Sequence, residues 1–467
     1  MSAVDPLTEL DNIISRSRAA QARYEAQGSQ ARYNRAAKAV AWAIMEPSRN
    51  LALAELAVQT TGLGNVDDKV TKNHRKTLGV MRDIEHAVTY GVISDDQSTG
   101  ITEIARPMGV VGAIVPSTNP AATPANNIIN AIKCGNSIIV APSPKGVASC
   151  EALLGYIHAE FAKSGEDPDL VQMIPPPGSK EKTHALMQGC DKIICTGSQN
   201  NVHRAQTAGT PAVAVGAGNA TVIVDETADL LAAAEKIRAS KCFDNATSCS
   251  SENAVVVIDA VYDAFVAAMA KTGGAVIDDE TAVVSALWPD GHLNREVIAQ
   301  DADKMIAALG LSELVAEGTE YVAVRTNGIG PDYPLSGEKL SRVLALYRAA
   351  NFDAAVQTTL AIQRHQGAGH SVGLHSSDDA RAMILAQTIP TSRVIVNQAH
   401  TFATGGSFTN GMPFSLSMGC GSWGGNVTHE NLHWRHFLQS TKIVREIPSR
   451  EPSLETIFSD YWDEVGK

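Results

Sequence analysis

The spacing of hydrophobic positions changes near residue 100 of this chain of 467 residues. Before that point, residues 31–45 and 68–90 repeat apolar positions with the period of an amphipathic helix, and residues 7–92 as a whole predict an N-terminal helical layer. Beyond residue 104, short apolar runs alternate with longer helical stretches. This alternation is typical of βαβ units, in which helices join parallel strands.

The alternating part predicts two α/β blocks. In the first block we expect strands at 110–115, 137–140, 171–174, 192–195, 212–215 and 221–224, with helices at 121–132, 148–163, 180–189 and 201–208. In the second we expect strands at 254–258, 321–324 and 393–397, with helices at 262–271, 294–309 and 352–364. The Gly-rich residues 404–426 have no regular period, and we expect a loop close to the active site.

Composition and charge narrow the classes of function. The net charge of −12 argues against a nucleic-acid binder and against docking on anionic membranes, although a few local cations can still bind an anionic substrate. We find no signal-peptide pattern around residues 5–11 and no apolar run near the roughly 20 residues that cross a bilayer. Seven scattered cysteines indicate reduced thiols, so we expect a cytoplasmic protein.

Cys249 is the candidate nucleophile. It lies among small hydroxylated residues in the run 239–253, between a helical stretch and the predicted strand at 254–258. A thiolate is a strong nucleophile, and the free thiol has a pKa of about 8.5. From this residue alone, a small buried core cysteine is the more ordinary interpretation, and the other motifs along the chain favour the nucleophile instead.

Two other kinds of site have weaker signals. The chain lacks a Gly-x-Gly-x-x-Gly turn after a strand, but Thr196, Gly197 and Ser198 follow the strand at 192–195 and can present backbone N–H groups to a pyrophosphate. His429, His433 and His436 have helical spacing, and Cys190 and Cys195 form a possible pair. Neither set fits a standard metal motif, so we predict no metal site.

Several motifs occur in one order along the chain: 105–112, 115–120, 196–198, the Cys249 segment, 337–341, 369–371 and 419–426. Together they resemble the CoA-acylating branch of the aldehyde dehydrogenase superfamily over about residues 100–450. Within that branch the chain is most similar to the acylating dehydrogenases of sulfoacetaldehyde and succinate semialdehyde.

The resemblance implies an α/β fold with two α/β domains and a small β oligomerisation element. Residues 1–245 would form the nucleotide-binding domain, with its helical layer and an extended arm near 101–118. Residues 246–430 would form the catalytic domain, and 431–467 a C-terminal packing and oligomerisation segment. The extended residues 101–106 would pair with 442–446, and the chain would form a homodimer or homotetramer.

The resemblance also implies roles for single residues. Cys249 matches the nucleophile that attacks the aldehyde, and Asn119 matches the side-chain amide that stabilises the oxyanion together with the Cys249 backbone N–H. Glu338 matches the carboxylate that holds a ribose of the cofactor. The remaining cofactor contacts implied in this way are Thr118, Thr196, Gly197, Ser198, Gly216 and Gly218.

One departure from the hydrolytic aldehyde dehydrogenases decides the expected reaction. Their Glu-Leu-Gly-Gly motif supplies the base that activates water, whereas residues 213–219 here contain no acid. A cysteinyl thioester would then persist until the thiol of coenzyme A attacks it. Three alternatives stay open: a hydrolytic enzyme with Glu252 as the base, a reductase of acyl phosphates, and a catalytically silent scaffold.

Cofactor and substrate are predicted less directly. The loop 141–146 lacks the acid that binds the ribose 2′-hydroxyl of NAD, and its Ser143 and Lys145 favour the 2′-phosphate of NADP, with NAD as the alternative. For the short anionic aldehyde, sulfoacetaldehyde or else succinate semialdehyde, candidate contacts are His400, Thr401, Ser407, Thr409 and Asn410. Arg393 is expected to be structural, and the role of His370 is open.

Overall fold

The computed structural model describes residues 6–467; residues 1–5, the start of the predicted nucleotide-binding domain, lie outside the described residues. The strands in chain order are β1 (Val92–Asp96), β2 (Ile101–Pro107), β3 (Val110–Val115), β4 (Ser137–Pro142), β5 (Val171–Met173), β6 (Lys192–Thr196), β7 (Ala212–Val215), β8 (Ala220–Val224), β9 (Glu252–Ile258), β10 (Gly274–Ile277), β11 (Tyr321–Arg325), β12 (Val343–Ala349), β13 (Val372–His375), β14 (Val394–Val396) and β15 (Leu438–Val444). The helices are α1 (Pro6–Ala26), α2 (Gln30–Met45), α3 (Pro47–Thr61), α4 (Val66–Ile84), α5 (Ala122–Lys133), α6 (Val147–Ser164), α7 (Lys180–Gly189), α8 (Gln199–Thr207), α9 (Leu230–Cys242), α10 (Tyr262–Lys271), α11 (Glu280–Leu287), α12 (Ala302–Ala308), α13 (Phe352–His365), α14 (Asp379–Thr388), α15 (His400–Thr404) and α16 (Leu454–Val465).

The first sheet contains five parallel strands in the order β5-β4-β3-β6-β7. Every residue of β3 and β4 is buried, because helices cover both faces of the sheet. The chain winds outward from β3 to β5 and then returns to the other side of β3. The order therefore reverses between β3 and β6, and open α/β sheets bind ligands at the carboxyl ends of strands at such a point.

The second sheet contains seven parallel strands in the order β10-β11-β12-β9-β8-β13-β14. Strand β8 belongs to it and pairs with β9 and β13. The chain thus changes sheets between β7 and β8, which is earlier than the division predicted at residue 245. The apolar pattern of a short strand does not reveal which sheet it joins, since buried parallel strands share the same composition. The other domain limits stay predictions.

The third sheet is the small antiparallel one, in the order β1-β2-β15. Ile101 pairs with Val444, and Glu103 pairs with Lys442, whose ammonium lies 3.2 Å from its carboxylate. The predicted pairing of the arm at 101–106 with the C-terminal segment is confirmed, although the strand spans Leu438–Val444 rather than 442–446.

The N-terminal helical layer is also confirmed, and α4 is its part that bears on the site. Asn65 caps α4 by accepting a hydrogen bond from the Asp68 N–H, and the helix ends at Ile84, before the predicted residue 90. A Cβ on Gly79 would lie 2.1 Å from the Phe414 ring. This close approach lets α4 pack directly against the Gly-rich loop.

Two groups of elements differ from the sequence predictions. Only Ala302–Ala308 is helical within the expected helix at 294–309, because Ala299 has a left-handed φ of 53° that interrupts the helical path. Strands β1, β10, β12 and β13 were not expected. Short strands such as the four residues of β13 carry too few positions to show a period.

Candidate active site

The two large sheets meet at one cavity. It contains residues from the carboxyl ends of β3 and β6, namely Asn119 and Thr196, and Gly216 from the connection between β7 and β8. From the second sheet it contains Cys249 and Glu338, which precede β9 and β12 and so lie at amino ends of strands. The site therefore lies at the crossover point of the first sheet.

The approach to Cys249 is a strained turn at the end of α9. The backbone φ values are 48° at Asp244, 53° at Asn245 and 61° at Ala246, and residues other than glycine seldom adopt such values. Side-chain hydrogen bonds hold this turn. For example, the side-chain oxygen Oδ1 of Asn245 accepts a hydrogen bond from the guanidinium of Arg342 at 2.6 Å. The turn directs Cys249 into the cavity rather than into a core.

Asp244 is held by two lysines of α4. Lys69 Nζ lies 3.1 Å from its carboxylate, and Lys72 Nζ also donates to it. All three side chains are almost fully buried. Burial alone would raise the pKa of Asp244, yet Lys72 and Lys69 hold that pKa below its usual value. The three groups form a buried network with one net positive charge.

His370 lies beside the thiol. Its Nε2 is 3.3 Å from Cys249 Sγ, and its Nδ1 is 2.7 Å from Ser371 Oγ, which in turn lies 2.8 Å from Nε2 of His400. Burial lowers the pKa of both histidines to about 3, so both rings are neutral at pH 7. The sequence left the role of His370 open, and this distance lets its Nε2 accept a hydrogen bond from the Cys249 thiol.

The thiol itself is neutral in this arrangement. Burial, reinforced by the nearby Glu338 carboxylate, raises the pKa of Cys249 to about 12. Cys249 and His370 are thus a thiol beside a neutral imidazole, not a preformed thiolate–imidazolium pair. The S–H can donate to Nε2, and a thiolate needs additional positive charge in the cavity to form.

Lys72 also orients Asn119. Its Nζ lies 2.9 Å from Asn119 Oδ1 and 2.9 Å from Thr247 Oγ1. Since an ammonium group only donates, this contact identifies Oδ1 as the oxygen and leaves the amide N–H₂ directed elsewhere. A fixed amide donor is what an oxyanion site requires.

The segment 216–218, which lacks polar side chains, lies against Cys249. A Cβ on Gly218 would lie 2.2 Å from the carbonyl oxygen of Cys249. The Gly218 N–H donates to the carboxylate of Glu338, whose pKa burial raises to about 7. The segment that would carry a catalytic glutamate in a hydrolytic enzyme here carries no side chain larger than the methyl group of Ala217 between Gly216 and Gly218.

The predicted cofactor residues fall into two groups. Thr118, Thr196, Gly197, Ser198, Gly216 and Glu338 line the cavity with Cys249, and Ser198 also caps α8 through the Asn201 N–H. Ser143 and Lys145 follow β4 and lie outside the cavity. The buried Ser143 Oγ has no hydrogen-bond partner within residues 6–467, and the exposed Lys145 donates to the Thr61 carbonyl at 3.3 Å.

Of the predicted substrate contacts, only Thr401 lines the cavity. His400 is buried against Ser371, and Ser407 and Thr409 bond to each other at 3.0 Å in a turn of the Gly-rich loop. Asn410 closes the same turn by accepting from the Ser407 N–H. Ser407, Thr409 and Asn410 thus bond to one another away from the cavity, and the substrate roles of all five residues stay predictions.

Arg393 is structural, as expected. It donates to the carbonyls of His370 and Gly419, both at 2.9 Å, and to the Asn431 side chain at 3.0 Å. The cavity cations come instead from α4, which supplies Lys72, Arg75 and Lys76. The sequence does show these three residues on one face of an amphipathic helix. A charged face of such a helix usually faces solvent, so this spacing alone did not indicate a site.

A separate cluster lies near the C-terminal strand. Ligand atoms of Glu430, His433 and His436 all lie within 4.8 Å of one another, without His429. His433 Nε2 is 3.1 Å from the Glu430 carboxylate, and His436 Nε2 is 3.2 Å from Thr428 Oγ1. The groups thus bond to one another and to a neighbouring hydroxyl, and the predicted absence of a metal site stays a prediction.

Comparison with known proteins agrees with this geometry. The model of the aldehyde dehydrogenase family matches residues 6–288. The chain belongs to the aldehyde dehydrogenase family. It is 53% identical to an acylating sulfoacetaldehyde dehydrogenase of Cupriavidus necator, over 97% of this chain and 92% of that protein. It is 34% identical to an acetylating succinate-semialdehyde dehydrogenase of Clostridium kluyveri, over 96% of this chain and 98% of that protein.

The fold comparison gives the same answer. A crystal structure of an acetylating aldehyde dehydrogenase from Geobacillus thermoglucosidasius superposes with a TM-score of 0.91 at 28% identity, covering 96% of this chain and 98% of that structure. The predicted fold class and the resemblance to acylating aldehyde dehydrogenases are confirmed. The aldehyde dehydrogenase is an oxidoreductase, and none of its helices within residues 6–467 combines the length and apolarity needed to cross a membrane.

Proposed function

We propose that this aldehyde dehydrogenase oxidises a short anionic aldehyde to its acyl-CoA, with NADP as the hydride acceptor. Sulfoacetaldehyde, giving sulfoacetyl-CoA, is the preferred substrate, and succinate semialdehyde is the alternative. The reaction is reversible because a thioester product keeps the acyl group activated. The sulfoacetaldehyde and succinate-semialdehyde enzymes among its relatives support this substrate class.

One observation carries the choice of CoA over water. The segment against Cys249 consists of Gly216, Ala217 and Gly218 and offers no carboxylate to activate water. A cysteinyl thioester formed there lacks the carboxylate with which the hydrolytic enzymes activate water, so it survives until a thiol arrives. Glu252, the alternative base, is fully buried in β9 and does not line the cavity.

The residues around Cys249 suggest the order of proton and bond changes. The Cys249 S–H donates to His370 Nε2. With the positive charge that a bound oxidised nicotinamide would add, the proton passes to His370 as the sulfur attacks the aldehyde carbon to give a thiohemiacetal. Asn119 Nδ2 and the Cys249 N–H stabilise the oxyanion, with Lys72 holding the amide in position. Loss of hydride leaves a thioester on Cys249. The CoA thiol then attacks the carbonyl carbon of the thioester, and its proton passes to the departing Cys249 sulfur, which gives acyl-CoA and the free Cys249 thiol. The proton that His370 accepted in the first step is released to solvent, as the overall oxidation requires.

The cavity fits a nicotinamide dinucleotide, which when bound accepts the hydride. Backbone at Gly197 and Gly216 can approach the pyrophosphate, near the start of α8. Glu338 lines the same cavity, and we expect its carboxylate to accept hydrogen bonds from ribose hydroxyls. The unpartnered Ser143 hydroxyl and the Lys145 ammonium are suited to a 2′-phosphate, which supports NADP over NAD.

We further infer a homodimer or homotetramer in the cytoplasm. β15 is an edge strand, and its Ile443 and Val444 are exposed to 41% and 71%. Helix α16 exposes the apolar side chains Leu454, Phe458 and Tyr461 to solvent. Exposed apolar side chains at a sheet edge favour an interface between copies of the chain. The cysteines are all unpaired, which favours a reducing compartment.

The deciding experiment follows the formation of reduced nicotinamide by the purified enzyme, with NADP or NAD, with each of the two aldehydes, and with or without CoA. We expect turnover with sulfoacetaldehyde that depends strictly on CoA and is faster with NADP. Cys249→Ala should abolish it while cofactor binding persists. Steady turnover without CoA would show that water reaches the thioester and would contradict the proposal.

A further inference from the structure

Helix α4 brings three cations to the wall of the cavity that holds Cys249. Lys72, Arg75 and Lys76 are spaced at i, i+3 and i+4, which places them on one face of the helix. This face turns inward because the helix packs on the Gly-rich loop at Gly79 and Phe414. A chain with a net charge of −12 thus concentrates positive charge at its substrate cavity.

The three cations differ in how far the protein neutralises them. Lys72 is engaged by Asp244 and Asn119, so its charge belongs to the network described above. Lys76 Nζ donates to the carbonyl oxygens of Gly405 at 2.5 Å and Ser415 at 2.9 Å. Carbonyl groups satisfy two of its three donors but supply no negative charge. Burial, reinforced by the neighbouring Arg75 and Lys72, lowers the pKa of Lys76 to about 7, so an anion that enters the cavity favours its charged form.

Arg75 has no anionic partner. Within residues 6–467 it forms neither an ion pair nor a hydrogen bond, and its guanidinium lies 4.6 Å from the centre of the Phe402 ring. Burial lowers its pKa because nothing nearby compensates the lost hydration. A half-buried guanidinium with five unused donors, stacked on an aromatic ring, is held ready for an oxyanion.

Phe402 and Thr401 line the same cavity from α15, whereas Glu338, Gly197 and Gly216 line it from the cofactor segments. Arg75 therefore belongs to the part of the lining formed by α4 and α15. We propose that Arg75, assisted by Lys76, binds the anionic end of the aldehyde and so selects short aldehydes that carry a sulfonate. This assignment rests on the proposed function and identifies Arg75 as the residue that determines which aldehyde the enzyme accepts.

The test compares an anionic and a neutral aldehyde in matched variants. Arg75→Met should lower kcat/KM for sulfoacetaldehyde about 100-fold while kcat/KM for propionaldehyde changes less than about threefold, because only the anion loses a charge-assisted contact. Arg75→Lys should recover part of the loss. Arg82→Met is the control, since Arg82 also stacks on an aromatic ring of this region, at 4.7 Å from Phe414, but does not line the cavity.

A binding measurement separates recognition from catalysis. Ethanesulfonate should compete with the aldehyde in the wild-type enzyme, and Arg75→Met should weaken this inhibition at least about tenfold. Equal losses in kcat/KM for both aldehydes would show that Arg75 is structural. A rise in the KM for CoA alone would show that Arg75 binds a CoA phosphate. Either result would overturn the assignment. A wild-type enzyme that prefers propionaldehyde would instead refute the proposed substrate itself.

Discussion

Replacing Lys72 by methionine tests whether the buried lysine network acts on the oxyanion site. Methionine keeps the length and apolar stem of the side chain but removes the ammonium. The Asn119 amide then loses its 2.9 Å partner and can rotate away from the position in which we propose that it binds the oxyanion. We expect kcat to fall, with little change in the KM for the aldehyde.

The magnitude follows from the contacts that remain. A hydrogen bond to a charged group contributes about 1.5–3 kcal/mol, which corresponds to roughly a 10- to 100-fold loss in kcat. Complete removal of an oxyanion donor costs about 10²- to 10³-fold and sets the upper limit. Asp244 keeps Lys69 at 3.1 Å and Thr247 at 2.8 Å. The folding cost should therefore stay below the ~3–5 kcal/mol of an unpaired buried charge.

Lys69→Met is the matched control. Lys69 lies one turn earlier on α4 and shares the ion pair with Asp244, but its other contact is the Thr118 carbonyl at 3.2 Å rather than Asn119. Initial rates of reduced-nicotinamide formation should fall more in Lys72→Met than in Lys69→Met. The double variant Lys72→Met/Asn119→Ala should be no slower than Asn119→Ala alone. Equal losses in the two lysine variants, or multiplicative losses in the double variant, would refute the mechanism.

Three further predictions concern stability, the thiol and the cofactor. Asp244→Asn leaves two buried lysines without their carboxylate, and urea unfolding should show a loss of about 3–5 kcal/mol; a loss below about 1 kcal/mol would contradict the network. Burial raises the pKa of Cys249 to about 12, so the thiolate fraction and the rate of alkylation by iodoacetamide, followed by peptide mapping, should rise about tenfold per pH unit between about pH 7 and pH 9. A plateau near neutral pH would instead mean a preformed thiolate. Lys145→Met should raise the KM for NADP about tenfold and leave that for NAD unchanged, and equal effects on both would exclude a contact with the 2′-phosphate.

The sequence alone predicted the parts of the fold that depend on local patterns. Apolar runs marked β3, β4 and most other buried strands, and helical periodicity marked the N-terminal layer. It was wrong where no local signal exists. Ala299 interrupts a helix because of its tertiary surroundings, and β8 resembles the strands of either sheet although it pairs with β9 and β13.

For the site, ordered motifs alone indicated that Cys249, Asn119 and Glu338 belong together, and the structure brings them to one cavity. Only the tertiary structure decided which groups act on them. His370 lies 121 positions from Cys249 along the chain but 3.3 Å from its sulfur. Arg75 faces the cavity because α4 packs on the Gly-rich loop. Periodicity indicates which side chains of one helix or strand face the core and which face solvent. The partner of a side chain depends instead on how elements distant in sequence pack together.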